Sequence, residues 1–154
     1  MTGTAPLAGR SALVTGASRG IGRAVAARLA AAGARVWCLA RSEAAVAAVA
    51  VELGGEALVA DLADDAATWH ALDEMVERRG GPPDVVVNAA GVFGLAPSHA
   101  ETVKALDESL SVNLRGAWLL ARASYPHLRD SRGAACFTSS MSGQLPHAGS
   151  GPYS

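Results

Sequence analysis

Cysteine is scarce in this chain. Cys38 and Cys136 are the only two, far apart and in no Cys-x-x-Cys spacing, which excludes a thiolate metal site or redox pair of the short-spaced kind. Both fall in apolar runs and are expected to be buried, inert thiols packed as small hydrophobes. Charge of one sign is not in excess either. The formal net charge is -1, so nothing marks nucleic acid or an anionic membrane as the partner. No apolar run approaches the roughly 20 residues needed to cross a bilayer. Met1–Pro6 lacks both a basic stretch and an apolar core, which predicts a cytoplasmic chain. Internal repeats and low-complexity tracts are missing, although alanine is plentiful. His70, His99, His127 and His147 are scattered without ligand spacing, so no metal is expected.

What is present is apolar and periodic. Half of the 154 residues are hydrophobic and 18% are charged, the composition of a folded single domain. Strands are expected at Ala12–Val14, Arg35–Ala40, Ala57–Ala60, Asp84–Asn88 and Ala134–Ser139. Helices are expected at Arg23–Ala32, Glu43–Leu53, Asp64–Arg79 and, as one long region with Pro126 near its end, Glu101–Arg129. Gly33 and Gly54–Gly55 act as stops, and a loop runs from the fourth strand to Ser98. Strands alternating with helices mean βαβ units around a parallel sheet. The fold class is therefore α/β: a Rossmann-like, doubly wound parallel sheet with helices on both faces. Right-handed crossovers place strand one centrally, strands two and three on one side, and four and five on the other. Ligands in such sheets lie beyond the strand C-terminal ends, at the switch between strands one and four.

The chain is organised around Leu13-Val14-Thr15-Gly16-Ala17-Ser18-Arg19-Gly20-Ile21-Gly22. A buried strand breaks into glycines and a helix follows. Backbone N–H groups without intrahelical partners, together with the helix dipole, make such a helix start an anion site. Glycine permits φ > 0 and leaves no Cβ between the chain and a bound pyrophosphate. The spacing Gly-x-x-x-Gly-x-Gly differs from the common Gly-x-Gly-x-x-Gly fingerprint. With Thr15 before it, the stretch resembles the Thr-Gly-x-x-x-Gly-Ile-Gly motif of the short-chain dehydrogenase/reductase family. Gly16, Ser18, Arg19, Gly20, Ile21 and Gly22 are thus candidate cofactor-binding residues.

The second strand ends in Ala40-Arg41-Ser42. No carboxylate stands there to repel a 2′-phosphate, and Arg41 can pair with one through its planar fork. Arg19 adds a second positive charge on the same side. NADP(H) is expected in preference to NAD(H), which stays as the alternative. Asp61-Leu62 follows the third strand, and the resemblance implies an adenine contact there. An Asp at that point also reads as a cap or turn residue. Asn88-Ala89-Ala90-Gly91 follows the fourth strand and resembles the family's Asn-Asn-Ala-Gly, with Ala89 in place of the second Asn.

The fifth strand runs into Thr138-Ser139-Ser140-Met141-Ser142-Gly143, and Tyr153 follows Ser140 at Ser-x12-Tyr spacing. With Asn113 in Ser111-Val112-Asn113-Leu114, these residues resemble the family's active-site Asn, Ser and Tyr. Ser139 and Ser142 are competing hydroxyls, and only the spacing favours Ser140. The resemblance implies hydride transfer between a nicotinamide cofactor and a small-molecule carbonyl or alcohol. Tyr153 would handle the proton, Ser140 would bind the substrate oxygen and Asn113 would hold a water. A phenol titrating at about pH 10 needs a nearby cation to act near neutrality. The family pattern Tyr-x-x-x-Lys supplies one, and the sequence stops at Ser154. The chain is accordingly expected to be an incomplete dinucleotide-binding domain over 1–154, truncated after strand five. The alternative is a short nucleotide-binding or partner-binding protein without catalysis. His147, between Ser140 and Tyr153, reads as a bystander more than a substrate contact. Trp37, Trp69 and Trp118 read as core or groove fillers. The resemblance also implies homodimers or homotetramers formed through the long helices.

Overall fold

A computed structural model describes residues 5–97, 99–145 and 147–153. The readings of the first four residues and of Ser98 as a loop end lie outside the described residues. Five strands form one parallel sheet: β1 Ser11–Thr15, β2 Arg35–Ala40, β3 Glu56–Val59, β4 Val85–Asn88 and β5 Ala134–Phe137. Their order is β3-β2-β1-β4-β5, with every neighbouring pair parallel. This is the expected doubly wound arrangement, and it puts the switch point between β1 and β4.

Side-chain alternation along the strands explains both faces. Ala12, Val14, Val36 and Cys38 point to one side, where α1 (Gly20–Ala31) and α2 (Glu43–Leu53) supply Ala26, Val46, Val49 and Ala50. Leu13, Trp37, Leu39, Leu58 and Val86 point to the other. There α3 (Asp65–Arg79) supplies Ala71, Leu72 and Met75, and α5 (Ala117–Ser131) supplies Leu120 and Ala123. Strands buried on both faces read as unbroken apolar runs, as the sequence of β1 and β2 does. Trp37 lies fully buried, with the guanidinium groups of Arg35 and Arg78 at 5.1 and 4.9 Å from its ring centroid.

The structure departs from expectation in several places. The first helix begins at Gly20 rather than Arg23, because Gly20 and Gly22 belong to its first turn. The long helical region is interrupted: α4 (Val103–Ser109) passes into a π-helical segment, Leu110–Gly116, before α5. β5 stops at Phe137, and all of its residues are exposed. Cys136 is therefore exposed, not buried, because no residue of β5 enters either core. Cys38 is buried as expected, and burial pushes its thiol up to about 11. Trp118 is exposed rather than a core filler, since it lies on the outward side of α5. Among the described residues no helix is long and apolar enough to cross a membrane.

At the sheet's N-terminal end, Asp84 ties several elements together. Its carboxylate accepts from Arg10 Nη1 at 2.8 Å, from the Ser11 N–H at 2.8 Å and from Arg79 Nη2 at 2.9 Å. Burial favours its neutral form, but the Arg10 and Ser11 hydrogen bonds and the charges of Arg79 and Arg10 outweigh that and hold its pKa below the usual carboxylate value. Asp84→Asn leaves two cations without their anion, and a loss of about 2–4 kcal/mol is expected. Because the folded pKa is depressed, this stabilisation is present above the unfolded value, about 4, and disappears as pH falls through the folded pKa. Urea melts of wild type and Asp84→Asn at pH 7 and pH 3 check this. The difference between them should shrink at the lower pH.

Candidate functional site

The carboxyl edge of the sheet opens into a cleft of about 370 Å³. Of the proposed cofactor-binding residues, Gly16, Ser18, Arg19, Gly20, Ile21, Gly22, Arg41, Ser42, Asp61, Leu62, Ala89, Ala90 and Gly91 all line it. Asn88 does not; it lines an adjoining cleft of about 330 Å³ together with Asn113, Ser140 and Tyr153. Ile21, Ala89, Ala90, Gly91 and Val92 border both spaces, so the two form one trough. The structure thus brings together residues from the ends of all five strands, the first turn of α1, the π-helical segment and the turn that carries Tyr153.

The glycines do different jobs. Gly16 has φ +65°, and a Cβ there would sit 2.7 Å from the Ala89 carbonyl oxygen. A Cβ on Gly22 would overlap the Gly16 carbonyl. These two let α1 seat directly against the ends of β1 and β4. Gly20, with φ +55°, has nothing within 4 Å of a would-be Cβ, so it keeps the trough wall open. The Thr15 hydroxyl pins the same junction. It donates to Asn88 Oδ1 at 2.6 Å and accepts from the Ala90 N–H at 3.3 Å.

Helix caps sort by location. Asp64 caps α3 through Ala67 N at 3.0 Å, and Thr102 caps α4 through Ala105 N at 3.1 Å. α1 and α2, whose N-termini border the cleft, have no side-chain cap, and α1 has no acidic residue in its first turn. Their unpartnered N–H groups and dipoles are directed at the space an anion would fill. Arg19 and Arg41 add formal charge. Arg41 meets Asp61 across 3.9 Å with both side chains about half exposed, a pairing worth at most about 1 kcal/mol. Asp61 spends its other oxygen on the Ala63 N–H at 3.0 Å, so the turn reading of this residue holds alongside its position in the cleft.

In the second part of the trough, Asn113 lies within the π-helical segment. Its Oδ1 accepts from Val92 N at 2.8 Å, and its Nδ2 donates to Val92 O at 2.9 Å and Ser109 Oγ at 3.3 Å. Ser140 Oγ accepts from Ser142 N at 3.2 Å, which leaves its proton available. Ser139 also lines the trough, whereas Ser142 is buried outside it. The Tyr153 ring packs edge-on against Phe93, with centroids 4.7 Å apart. His147 is exposed and borders neither space.

Comparison with known proteins now decides the family. The model of the family described as short chain dehydrogenase matches residues 10–154. The chain belongs to the short-chain dehydrogenase family. It is 47% identical over 110 residues to L-xylulose reductase of Bos taurus, covering 71% of this chain and 43% of that protein. D-threitol dehydrogenase of Mycolicibacterium smegmatis is 36% identical over 134 residues, covering 84% and 51%. The chain thus spans about half the length of the curated relatives it matches. Among solved structures, the oxidoreductase yciK of E. coli superposes with TM-score 0.90 at 28% identity, over 99% of this chain and 66% of that one. A Brucella melitensis 16M protein described as a ribose-5-phosphate isomerase superposes equally well, with TM-score 0.90 at 35% identity, over 98% and 59%. Fold likeness alone does not fix chemistry.

Within this short-chain dehydrogenase domain, the sequence marks Thr15 only as part of the glycine motif, not as the residue that locks β1 to β4, and it does not mark Val92, Phe93 or Ser109. Phe93 and Ser109 carried no signal, since an aromatic in a loop and a serine in a helix are unremarkable until the fold places them. The glycine roles give a direct test. Gly22→Ala overpacks a backbone contact and should cost about 2–3 kcal/mol. Gly20→Ala pays only the left-handed backbone penalty, about 1 kcal/mol. Chemical denaturation of the two variants should rank them in that order; equal losses would contradict the assignment.

Proposed function

We propose that the trough binds NADP(H) and that the chain is the coenzyme-binding and proton-handling portion of an oxidoreductase acting on a small carbonyl or alcohol. One observation carries the reading. The uncapped glycine-rich helix start and the trio Asn113, Ser140 and Tyr153 border a single continuous trough at the sheet's carboxyl edge. A dinucleotide needs a diphosphate grip at one end and proton chemistry at the other, and that is what the trough offers. The coenzyme, when bound, supplies or takes the hydride. The backbone N–H groups of Ser18–Gly22 hold the diphosphate, and Ala89–Gly91 flank it on the β4 side. Arg41, assisted by Arg19, takes the 2′-phosphate in place of its weak pairing with Asp61. NAD(H), without that phosphate, would leave Arg41 with only Asp61.

At the other end, the Ser140 hydroxyl donates to the substrate oxygen, and the Tyr153 hydroxyl gives or takes the proton. Both donors of the Asn113 amide are already engaged, so Asn113 contributes chiefly by fixing the Val92 backbone, with one lone pair of Oδ1 left for a water. L-Xylulose reductase, D-threitol dehydrogenase and the D-erythrulose reductase of Gallus gallus, 45% identical over 108 residues, are named for short ketoses or polyols. A four- or five-carbon ketose or polyol is therefore the proposed substrate class. Fluorescence titration of NADPH and NADH tests the coenzyme assignment. Arg41→Ala should weaken NADPH binding roughly 10- to 100-fold, the loss of a charge-assisted pair, and leave NADH nearly unchanged. Equal weakening of both would overturn it.

The cytoplasm is the proposed compartment, and a second copy of the chain is the proposed partner. Val103, Leu106, Leu110, Leu114, Trp118 and Tyr125 are all exposed on the outer side of the α4–α5 region, an apolar stripe of the kind that marks an interface. Sedimentation equilibrium should find an oligomer that Leu114→Glu weakens at least about tenfold, as expected for a charge placed in an interface core. A monomeric wild type would contradict the proposal.

A further inference from the structure

We infer that Ser109 is the positioning residue for Tyr153, an inference that rests on the reading of Tyr153 as the proton-handling group. Ser109 is the last residue of α4, immediately before the π-helical segment, and it is buried. Serines inside helices ordinarily return their hydroxyl proton to a carbonyl one turn back. Ser111 and Ser124 do so here, donating to Glu108 O and Ala121 O. Ser109 instead donates to Pro152 O at 2.8 Å, a partner 43 residues away.

The bond lands on the carbonyl of the peptide that leads into Tyr153. Proline fixes its own φ and has no N–H, so the orientation of that peptide plane is free chiefly at ψ of Pro152, and the Ser109 bond restrains it. The Tyr153 N–H closes the turn on Ser150 O at 3.0 Å. The same Ser109 oxygen accepts from Asn113 Nδ2 at 3.3 Å, and Asn113 clamps both backbone groups of Val92. Val92 precedes Phe93, whose ring meets that of Tyr153. One hydroxyl, with a single donor and two lone pairs, thus holds both restraints on Tyr153: the backbone through Pro152 and the ring through Asn113, Val92 and Phe93. The widened π turn begins where these two lines diverge, as π segments often do beside functional groups.

The test labels the chain with 3-fluorotyrosine. Its two tyrosines, Tyr125 and Tyr153, give two fluorine resonances, assigned by Tyr125→Phe, and the exposed Tyr125 of α5 serves as the internal reference. Ser109→Ala should move the Tyr153 resonance most of the way to its urea-unfolded position while Tyr125 stays in place. Ser109→Thr, which retains the hydroxyl, should keep it near the native position. In coenzyme-dependent turnover, Ser109→Ala should lower kcat roughly tenfold or more, the cost of a misplaced reacting group, with the coenzyme KM unchanged. An unmoved Tyr153 resonance in Ser109→Ala, or an equal shift of both tyrosines, overturns the inference. Full turnover by Tyr153→Phe would instead overturn the active-site reading and leave the fluorine result standing.

Discussion

The site depends on how closely a helix can approach a strand. α1 starts against the ends of β1 and β4 with backbone on backbone, and neither Gly16 nor Gly22 has room for a Cβ. That contact fixes the N-terminus of α1 at the switch point of the sheet, where the strand order places β1 between β2 and β4. Everything the trough can do follows from it. The free N–H groups point into the opening, the strand ends supply Arg41, Asp61 and Asn88, and the Thr15 hydroxyl locks the β1–β4 junction. A larger residue at either glycine would lift the helix and disturb the proposed anion grip together with the packing.

The two ends of the sheet divide the labour. At the N-terminal end, Asp84 accepts from Arg10, Arg79 and the Ser11 N–H in one compact cluster. At the C-terminal end the arrangement is reversed. α1 and α2 lack side-chain caps, Arg41 has only a long pairing, and the hydroxyl proton of Ser140 is uncommitted. Solvent-open polar groups with uncommitted hydrogen-bonding capacity, gathered in one cleft, are what a polar ligand can use.

Much of this was legible in the sequence. Two-faced burial makes β1 and β2 continuous apolar runs, and the crossover rules turn five such runs into a strand order, so the fold and the position of the proposed cofactor residues at the sheet's carboxyl edge could be read directly. The proposed catalytic trio was legible only through spacing and resemblance; the structure adds that Ser142 is buried outside the trough, which spacing could not tell. What stayed hidden depends on long-range geometry. The π-helical turn around Asn113 has no local propensity signal, because it arises where Asn113 bonds the β4 loop and Gly116 passes close to Leu62. Cys136 looked buried because its neighbours are apolar, yet burial is set by what covers a strand, and no residue of β5 enters either core. Ser109 and Phe93 gain meaning only once residues about forty to sixty positions apart are brought together.

The central claim is that backbone N–H groups at the start of α1 grip a dinucleotide. A ¹⁵N-resolved NMR titration with NADPH addresses it most directly. The account predicts that the largest amide shifts fall on Ser18 to Gly22 and on Ala90 to Val92, with Asp84 and its neighbours at the opposite end of the sheet unmoved. Shifts concentrated away from the glycine turn, or none at saturating coenzyme, would contradict it.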